Sequence, residues 1–223
     1  STFRSGPNQY LAFLDPAQIG RVEAILGPAG ALYGSDSLGG AIQVLSASPP
    51  AAAEGAGLRA LHGDATLSGG TADLSAGGAA RLSGLHRALS WLAGISARRH
   101  GDLRAGGGLD SHHVLHRLFG LDPARIREIE GSRLRGTGFR QSGAHAKLLL
   151  RLPRAQHLTA WYQGSRLDGV QGYKDLHGGL GRLQSAFDPQ RLHFFYGRYE
   201  KLRAGPLDSL TATFSVNAQR DGT

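Results

Sequence analysis

The chain contains no cysteine and no methionine among its 223 residues. The absence of cysteine excludes a disulfide framework, thiolate metal sites and thiol nucleophiles. No run of about 18 apolar residues occurs, so no transmembrane helix is predicted; transmembrane β-strands, which score weakly on hydropathy, stay possible. Ser1 stands where an unprocessed chain has methionine, and no basic and apolar leader follows it. We therefore expect a processed or internal segment of a longer protein.

The charge is basic but is not concentrated in one region. Twenty-five lysines and arginines against 17 acids give a formal net charge of +8. A nucleic-acid-binding surface would cluster basic and aromatic residues on one element, whereas arginine here is spread from Arg4 to Arg220. We interpret the charge as a solvated surface and expect no nucleic-acid partner.

The motifs of the common enzyme classes are missing. The chain has no G-x-S-x-G nucleophile elbow, no phosphate-binding G-K-[ST] and no H-E-x-x-H zinc motif. The glycines of Gly27–Gly34 follow a strand as in a dinucleotide-binding loop, but Pro28 interrupts them and no amphipathic helix follows. Asp122, Glu128 and Glu130 show no pairing suited to glycoside hydrolysis. We therefore predict no enzymatic activity, no cofactor and no resident metal.

The segment Ile19–Leu45, IGRVEAILGPAGALYGSDSLGGAIQVL, is the most informative part of the chain. Two short apolar runs, Val22–Leu26 and Ala41–Leu45, flank a stretch of glycines with one proline. Glycine supplies positive φ without a steric penalty, and proline cannot continue a strand ladder. The pattern predicts a strand, a Gly-Pro turn, a tight glycine-rich loop and a second strand.

This segment resembles the end of the plug domain of TonB-dependent outer-membrane receptors, whose pattern reads roughly I-E-R-I-E-V-x-R-G-P-x-S-A-L-Y-G-S-x-A-x-G-G-V-I-N-I-I. The spacing is unbroken, and the matching residues are Arg21, Glu23, Gly27, Pro28, Ala31, Leu32, Tyr33, Gly34, Ser35, Gly39, Gly40 and Ile42. Two positions depart from the family: Gly20 replaces an acid, and Leu26 replaces an arginine. We take as the structural plug motif Arg21, Glu23, Gly27, Pro28, Tyr33, Gly34, Gly39 and Gly40.

Beyond a Pro/Ala-rich stretch, the sequence alternates between apolar and polar residues with period two. Residues 89–98, 144–152 and 209–219 show this alternation, which is typical of strands with one apolar and one polar side. Strands are predicted near 57–67, 72–82, 88–99, 138–152, 157–167, 190–202 and 209–220. The side chains predicted to face a polar lumen include those of His145, Lys147 and Arg151. The aromatic residues of 157–167 and 191–202 are expected to form belts at a membrane interface.

The connections between these strands alternate in length after the first hairpin. Residues 84–87, 153–156 and 203–208 are short connections, and 100–137 and 168–189 are long ones. Short turns at one end and long loops at the other are typical of a membrane barrel, whereas a soluble sandwich more often has comparable loops at both ends. Seven strands leave open edges, which lipid does not tolerate, and the family closes its barrel with 22 strands.

The sequence therefore predicts a mainly β fold in which a partial plug domain precedes an incomplete antiparallel transmembrane β-barrel of about seven strands. Residues 1–47 are expected to be the C-terminal part of the plug, 48–56 a linker, and 57–223 the N-terminal part of the barrel.

Three histidines, His112, His113 and His116, lie in the first long connection. If this segment were helical, His112 and His116 would share a face at a spacing that can hold a metal or haem iron. In the resembling receptors the outer loops capture the ligand, which makes these histidines candidate ligand contacts. The alternative is a solvated loop in which they are incidental.

The resemblance implies an outer-membrane receptor that takes up a scarce solute, such as an iron–siderophore, haem, cobalamin or a glycan. The implied location is the cell outer membrane. The implied partners are the inner-membrane TonB energy-coupling complex, the small-molecule solute and outer-membrane lipid. Two alternatives remain open: a passive outer-membrane barrel, such as a porin or an adhesin, and a soluble β-rich binding module.

Overall fold

The computed structural model describes residues 14–34, 37–50, 59–104, 116–117, 120–124, 136–171 and 186–222. The fold is mainly β, and all of its strand pairs are antiparallel, as predicted. It consists of an N-terminal hairpin, a seven-stranded sheet and a minor two-residue ladder. None of the helices within these ranges is long and apolar enough to cross a membrane.

The N-terminal hairpin follows the predicted order of strand, turn, loop and strand. A 3₁₀ turn (Pro16–Gln18) leads into β1 (Ile19–Leu26), which pairs with β2 (Gly40–Ser46). The connecting loop contains one helical turn, α1 (Gly30–Tyr33), which the sequence pattern did not predict. Gly40 has a φ of 133°, and a methyl group there would collide with the carbonyl oxygen of Ile25. Only glycine therefore fits where the loop returns to β2.

The seven predicted long strands are all present in one sheet. In chain order, the strands are β3 (Arg59–Gly70), β4 (Ser75–His86), β5 (Leu89–His100), β6 (Phe139–Leu152), β7 (Gln156–Asp168), β8 (Val170–Gln171), β9 (Ala186–Phe187), β10 (Gln190–Ala204) and β11 (Leu207–Asp221). The sheet runs β3-β4-β5-β6-β7-β10-β11, and β8 pairs with β9. Within the described residues, β3 and β11 are its two edges, as expected for an unclosed sheet.

The first hairpin of the sheet differs from the prediction by about three residues. The turn occupies residues 71–74, so Gly69 and Gly70 remain in β3. The Asp73 side chain accepts a hydrogen bond from the Ser75 backbone nitrogen at 3.0 Å, and Leu74 has a φ of 50°. An aspartate that hydrogen-bonds its own backbone two residues on is a stronger turn signal than the two glycines that precede it.

The two ends of the sheet carry different connections. Tight turns at 87–88, 153–155 and 205–206 lie at one end, which we call the turn end. The long connections 101–138 and 169–189, together with the turn at 71–74, lie at the other, which we call the loop end. The predicted alternation of short and long connections is thus confirmed.

The two faces of the sheet differ in chemistry, as the alternation predicted. We call one the apolar face; its exposed large side chains include Leu61, Leu67, Leu82, Ile95, Leu148, Leu152, Leu158, Tyr162, Phe195, Leu210, Phe214 and Val216. Leu67 is 90% exposed and Phe214 63%, so in the described residues no protein layer covers this face. The opposite, polar face includes Ser90, Ser96, His145, Lys147, Gln163, Ser165, Thr211 and Thr213.

The aromatic residues are divided between the two faces. Trp161 packs against Phe194 and Tyr196 with centroid distances of 4.9 and 6.5 Å. This cluster lies on the polar face, because Trp161 is paired with Lys147 in the strand register. The expectation of interfacial belts is therefore wrong for these three residues. Of the aromatic residues in 157–167 and 191–202, alternation leaves Tyr162, Phe195 and Tyr199 on the apolar face, which also carries Trp91 and Phe214.

Candidate functional site

The 3₁₀ turn before β1 has a well-defined cap. Asp15 Oδ1 accepts a hydrogen bond from the Ala17 nitrogen at 2.9 Å, and the Gln18 nitrogen donates to the Asp15 carbonyl at 2.9 Å. Pro16 begins the turn, where its missing N–H leaves no hydrogen bond unmade. The cap fixes the backbone from which the Asp15 and Gln18 side chains reach the sheet.

Asp15 and Gln18 are both buried against the polar face of the sheet, with exposures of 1% and 3%. Ser96 Oγ on β5 donates a hydrogen bond to Asp15 Oδ2. Gln18 Nε2 donates to the carbonyl oxygen of Gly164 at 3.0 Å and lies 3.4 Å from that of Ala144. This short turn is thus bonded to β5, β6 and β7.

Gly143 on β6 makes room for these two side chains. A methyl group at this position would collide with Asp15 Oδ2 and would lie 2.7 Å from Gln18 Nε2. Glycine inside a strand often marks the close approach of another chain segment. Gly143 therefore has a packing role that a larger residue cannot fill while the turn is docked.

A second contact joins Ser46, the last residue of β2, to the sheet. Lys147 Nζ donates a hydrogen bond to Ser46 Oγ at 2.8 Å and lies 4.9 Å from the centroid of the Trp161 ring. The Ala47 nitrogen donates to the Gln18 carbonyl at 3.0 Å, which links the two contacts. We call this set the hairpin–sheet interface: Asp15, Gln18 and Ser46 with Ser96, Gly143, Lys147 and Gly164.

His145 lies on the same face of β6, two residues from both Gly143 and Lys147. Its side chain is buried, with 7% exposure, and its ring covers Gly94, where a methyl group has no room. Neither ring nitrogen has a hydrogen-bond partner within the described residues. The layer between hairpin and sheet is therefore polar, as predicted for His145 and Lys147.

The residues of the predicted plug motif shape the hairpin rather than bind the sheet. Arg21 Nε pairs with Glu23 Oε1 at 2.8 Å, and both side chains are largely exposed. Such a pair is worth about 0–1 kcal/mol. Tyr33 donates a hydrogen bond to Gln43 on β2 at 3.4 Å. The rest of the motif, Gly27, Pro28, Gly34, Gly39 and Gly40, lies in or beside the loop between β1 and β2.

Within the described residues, no hydrogen bond or ion pair joins this motif to the sheet. The direct contacts come from Asp15, Gln18 and Ser46, which sequence analysis missed. The dipeptide Asp15-Pro16 is a recognisable cap signal, but nothing in the sequence says which distant strand a capping residue will meet.

The predicted histidine site is only partly covered by the structure. His112 and His113 lie outside the described residues. His116 is exposed, and its Nδ1 lies 3.0 Å from the Leu121 carbonyl oxygen. In the described ranges, no three histidine or acidic side chains gather in a way that could hold a metal ion. A ligand-contacting role for these histidines remains a prediction.

A cavity of about 640 Å³ opens at the loop end of the sheet, and Asp73 and His100 form part of its lining. His100 Nδ1 lies 2.9 Å from Asp73 Oδ2, and the His100 ring stacks on Phe139 with a centroid distance of 4.5 Å. Hydrogen bonds from Ser75 and then from His100 lower the pKa of Asp73 from 3.8 to about 2. This carboxylate thus ties the turn at 71–74 to the end of β5.

The lowered pKa of Asp73 predicts a loss of stability in acid. A depressed carboxyl pKa stabilises the fold fully above the unfolded value, and this contribution is lost as the pH falls through the folded value. In neutral detergent, the thermal midpoint of the Asp73→Asn variant should lie below that of the wild type at neutral pH. The difference between the two thermal midpoints should shrink as the pH falls from about 4 to about 2. Asp208→Asn, which removes a carboxyl group at the turn end, is the control. A difference in thermal midpoint between wild type and Asp73→Asn that stays constant with pH would contradict the stabilising role of ionised Asp73.

The hairpin and the two-faced sheet define an antiparallel β protein that carries an N-terminal, plug-like hairpin on a polar face. The model of the TonB-dependent Receptor Plug Domain family matches residues 2–41, or 40 of the 223 residues. The match covers β1, α1 and the start of β2, and it supports the resemblance to the plug of a TonB-dependent receptor. Comparison with curated proteins and with solved structures gave no significant match.

Proposed function

We propose that the chain is part of an outer-membrane receptor for TonB-dependent uptake of a scarce solute. In this proposal residues 1–47 are the last part of the plug, 48–56 a linker, and 57–223 the first strands of the barrel. The family match to residues 2–41 supports the first assignment. The docking of the hairpin on the polar face of the sheet supports placing both in one polar lumen.

The uncovered apolar face of the sheet is the observation that carries the proposal. A soluble protein covers such a face with a second layer, because burial of apolar surface stabilises it by about 25 cal/mol per Å². Here large side chains from β3 to β11 are exposed together. The long strands have 12 to 15 residues, and a tilted transmembrane strand needs about 9–11. These features favour a face that contacts lipid.

The hairpin–sheet interface suits a plug that must move. Its few described contacts are neutral or singly charged hydrogen bonds, each worth about 0.5–3 kcal/mol. Asp15 precedes Gln18 and Ser46 in the chain. A pull from the N-terminal side by the TonB complex would therefore load the Asp15–Ser96 bond before the other described contacts.

The proposed solute is an iron–siderophore, haem, cobalamin or a glycan, captured at the loop end of the sheet in the cell outer membrane. His112, His113 and His116 remain candidate contacts because they belong to the first long connection. A passive porin or adhesin would share the strand pattern but would leave the hairpin unexplained. A soluble β-rich module would leave the apolar face unexplained.

Uptake in cells with and without energy coupling tests this function. Cells that express the whole protein would be given labelled ferric chelates, haemin, cyanocobalamin and maltodextrin. We expect one of these solutes to accumulate when TonB is present and to be lost when TonB is deleted. Uptake that persists without TonB would favour the passive barrel. Recovery of the protein outside the membrane fraction, with no uptake of any probe, would contradict the proposal.

A further inference from the structure

Five neighbouring strands of the main sheet each carry an arginine on the apolar face near the loop end. They are Arg99 on β5, Arg140 on β6, Arg166 on β7, Arg191 on β10 and Arg220 on β11. Strand alternation places each of them on the same side as Ile95, Tyr162 or Phe214. We call this set the arginine row.

The strand register brings the members of the arginine row side by side. Arg99 is directly opposite Arg140, and Arg191 is directly opposite both Arg166 and Arg220. Directly opposed like charges destabilise a sheet. Asp168 is directly opposite Arg140 and lies beside this part of the row, so the arrangement is most costly at Arg191 and Arg220 unless another anion lies there.

The row lies at the boundary of the apolar face. From Leu89 to Arg99 the chain advances ten residues, roughly 33 Å at about 3.3 Å per residue. With a strand tilt of about 40°, this corresponds to a height of roughly 25 Å, which is the apolar band of an outer-membrane barrel. The guanidinium groups thus stand where lipid headgroups begin.

Two concavities adjoin the row. The loop-end cavity of about 640 Å³ is lined by Arg99, Arg140 and Asp168. A second, of about 370 Å³, is lined by Arg166, Arg191 and His193. The second cavity exists because Ser142, Ala144 and Gly164, which also line it, have small side chains or none and leave space beside Arg166 and Arg191.

Most of this charge is unpaired in the described part of the chain. Arg166 binds Asp168 with an Nη2–Oδ1 distance of 2.7 Å. No carboxylate of a described residue lies within ion-pair distance of Arg99, Arg140, Arg191 or Arg220. Among the described residues these four cations have no acidic partner and can bind an external anion.

We infer that the arginine row binds phosphorylated headgroups of membrane lipids. The inference rests on the membrane location proposed above. A phosphomonoester carries about −1.5 to −2 charges, and arginine binds its oxygens in bidentate geometry while its stem lies along an apolar surface. A lipid supplies both parts of the ligand: its phosphate meets the guanidinium groups, and its acyl chains cover the apolar face below them.

A binding titration tests the inference. The whole protein, purified in neutral detergent, would be titrated by calorimetry with dioctanoyl phosphatidic acid, dioctanoyl phosphatidylcholine and inorganic phosphate. The wild type should bind phosphatidic acid most tightly, and salt should weaken that binding. Each arginine removed should cost about fivefold in affinity, so R99Q/R140Q and R191Q/R220Q should each lose about 25-fold and the quadruple variant more.

Arg98→Gln is the matched control. Arg98 precedes Arg99 on β5 but lies on the polar face, so its loss should leave lipid affinity unchanged. Equal binding of phosphatidylcholine, equal binding of inorganic phosphate, or wild-type affinity in the quadruple variant would each overturn the inference. TonB-dependent uptake by a protein without lipid preference would refute this inference alone. Lipid preference in a membrane protein without such uptake would refute only the proposed function.

Discussion

Phe214→Arg should prevent the protein from assembling in a membrane, whereas Thr213→Arg should not. Phe214 lies midway along β11 on the apolar face and is 63% exposed. An arginine at the bilayer midplane of a barrel costs about 2–4 kcal/mol, a large part of the marginal stability of a folded chain. Thr213 is the adjacent residue and lies on the polar face, where an arginine would remain in water.

The measurement is the fraction of each variant of the whole protein in the membrane, together with its urea midpoint in phosphatidylcholine vesicles. The comparison also separates the proposed function from the soluble alternative. If the apolar face were covered by protein in a water-soluble module, Phe214→Arg would lower the stability of a protein that never enters membranes. Equal behaviour of the two arginine variants in vesicles would contradict the lipid-facing assignment.

The sequence predicted the two-faced sheet well because one rule governs it. Alternation is a local property, and Leu210, Phe214 and Val216 fall on one face in any sheet that pairs β11 at all. Leu92 shows the limit of the rule, since it breaks the apolar pattern of its strand and proves to be buried on the polar face, with 3% exposure. Alternation also determines the face on which each aromatic residue lies. Trp161 and Tyr162 are adjacent in the strand and therefore lie on opposite faces.

The contacts of the hairpin were less predictable because they join distant parts of the chain. Asp15 and Ser96 are 81 residues apart, and Gln18 and Gly164 are 146 apart. Arg21 and Glu23, which match the family pattern, pair with each other and make no described contact with the sheet. From the sequence alone, Gly143 is expected to weaken β6, because glycine has no side chain to pack. The docked turn explains why a glycine is needed at this position.

Gly143→Leu should detach the hairpin from the sheet. The new side chain would occupy the space of the Asp15 and Gln18 side chains, and it would separate Asp15 from Ser96 and Gln18 from the Gly164 carbonyl. Each buried polar group left unsatisfied costs about 1–3 kcal/mol, so we expect a total near 3 kcal/mol. That energy corresponds to a roughly 100-fold larger detached population.

The labelling rate of a cysteine at position 47 measures this population, because the chain has no cysteine of its own and Ala47 is 6% exposed in the docked state. In an Ala47→Cys background, Gly143→Leu should raise the rate of maleimide labelling roughly 100-fold. The control is Gly197→Leu, the same substitution on the apolar face, where a methyl group comes no closer than 3.8 Å to Phe195. It should leave the rate unchanged, because it does not touch the hairpin. An unchanged rate in Gly143→Leu would mean that Asp15 and Gln18 do not hold the hairpin, since no conformation of a leucine at 143 is compatible with both of their contacts.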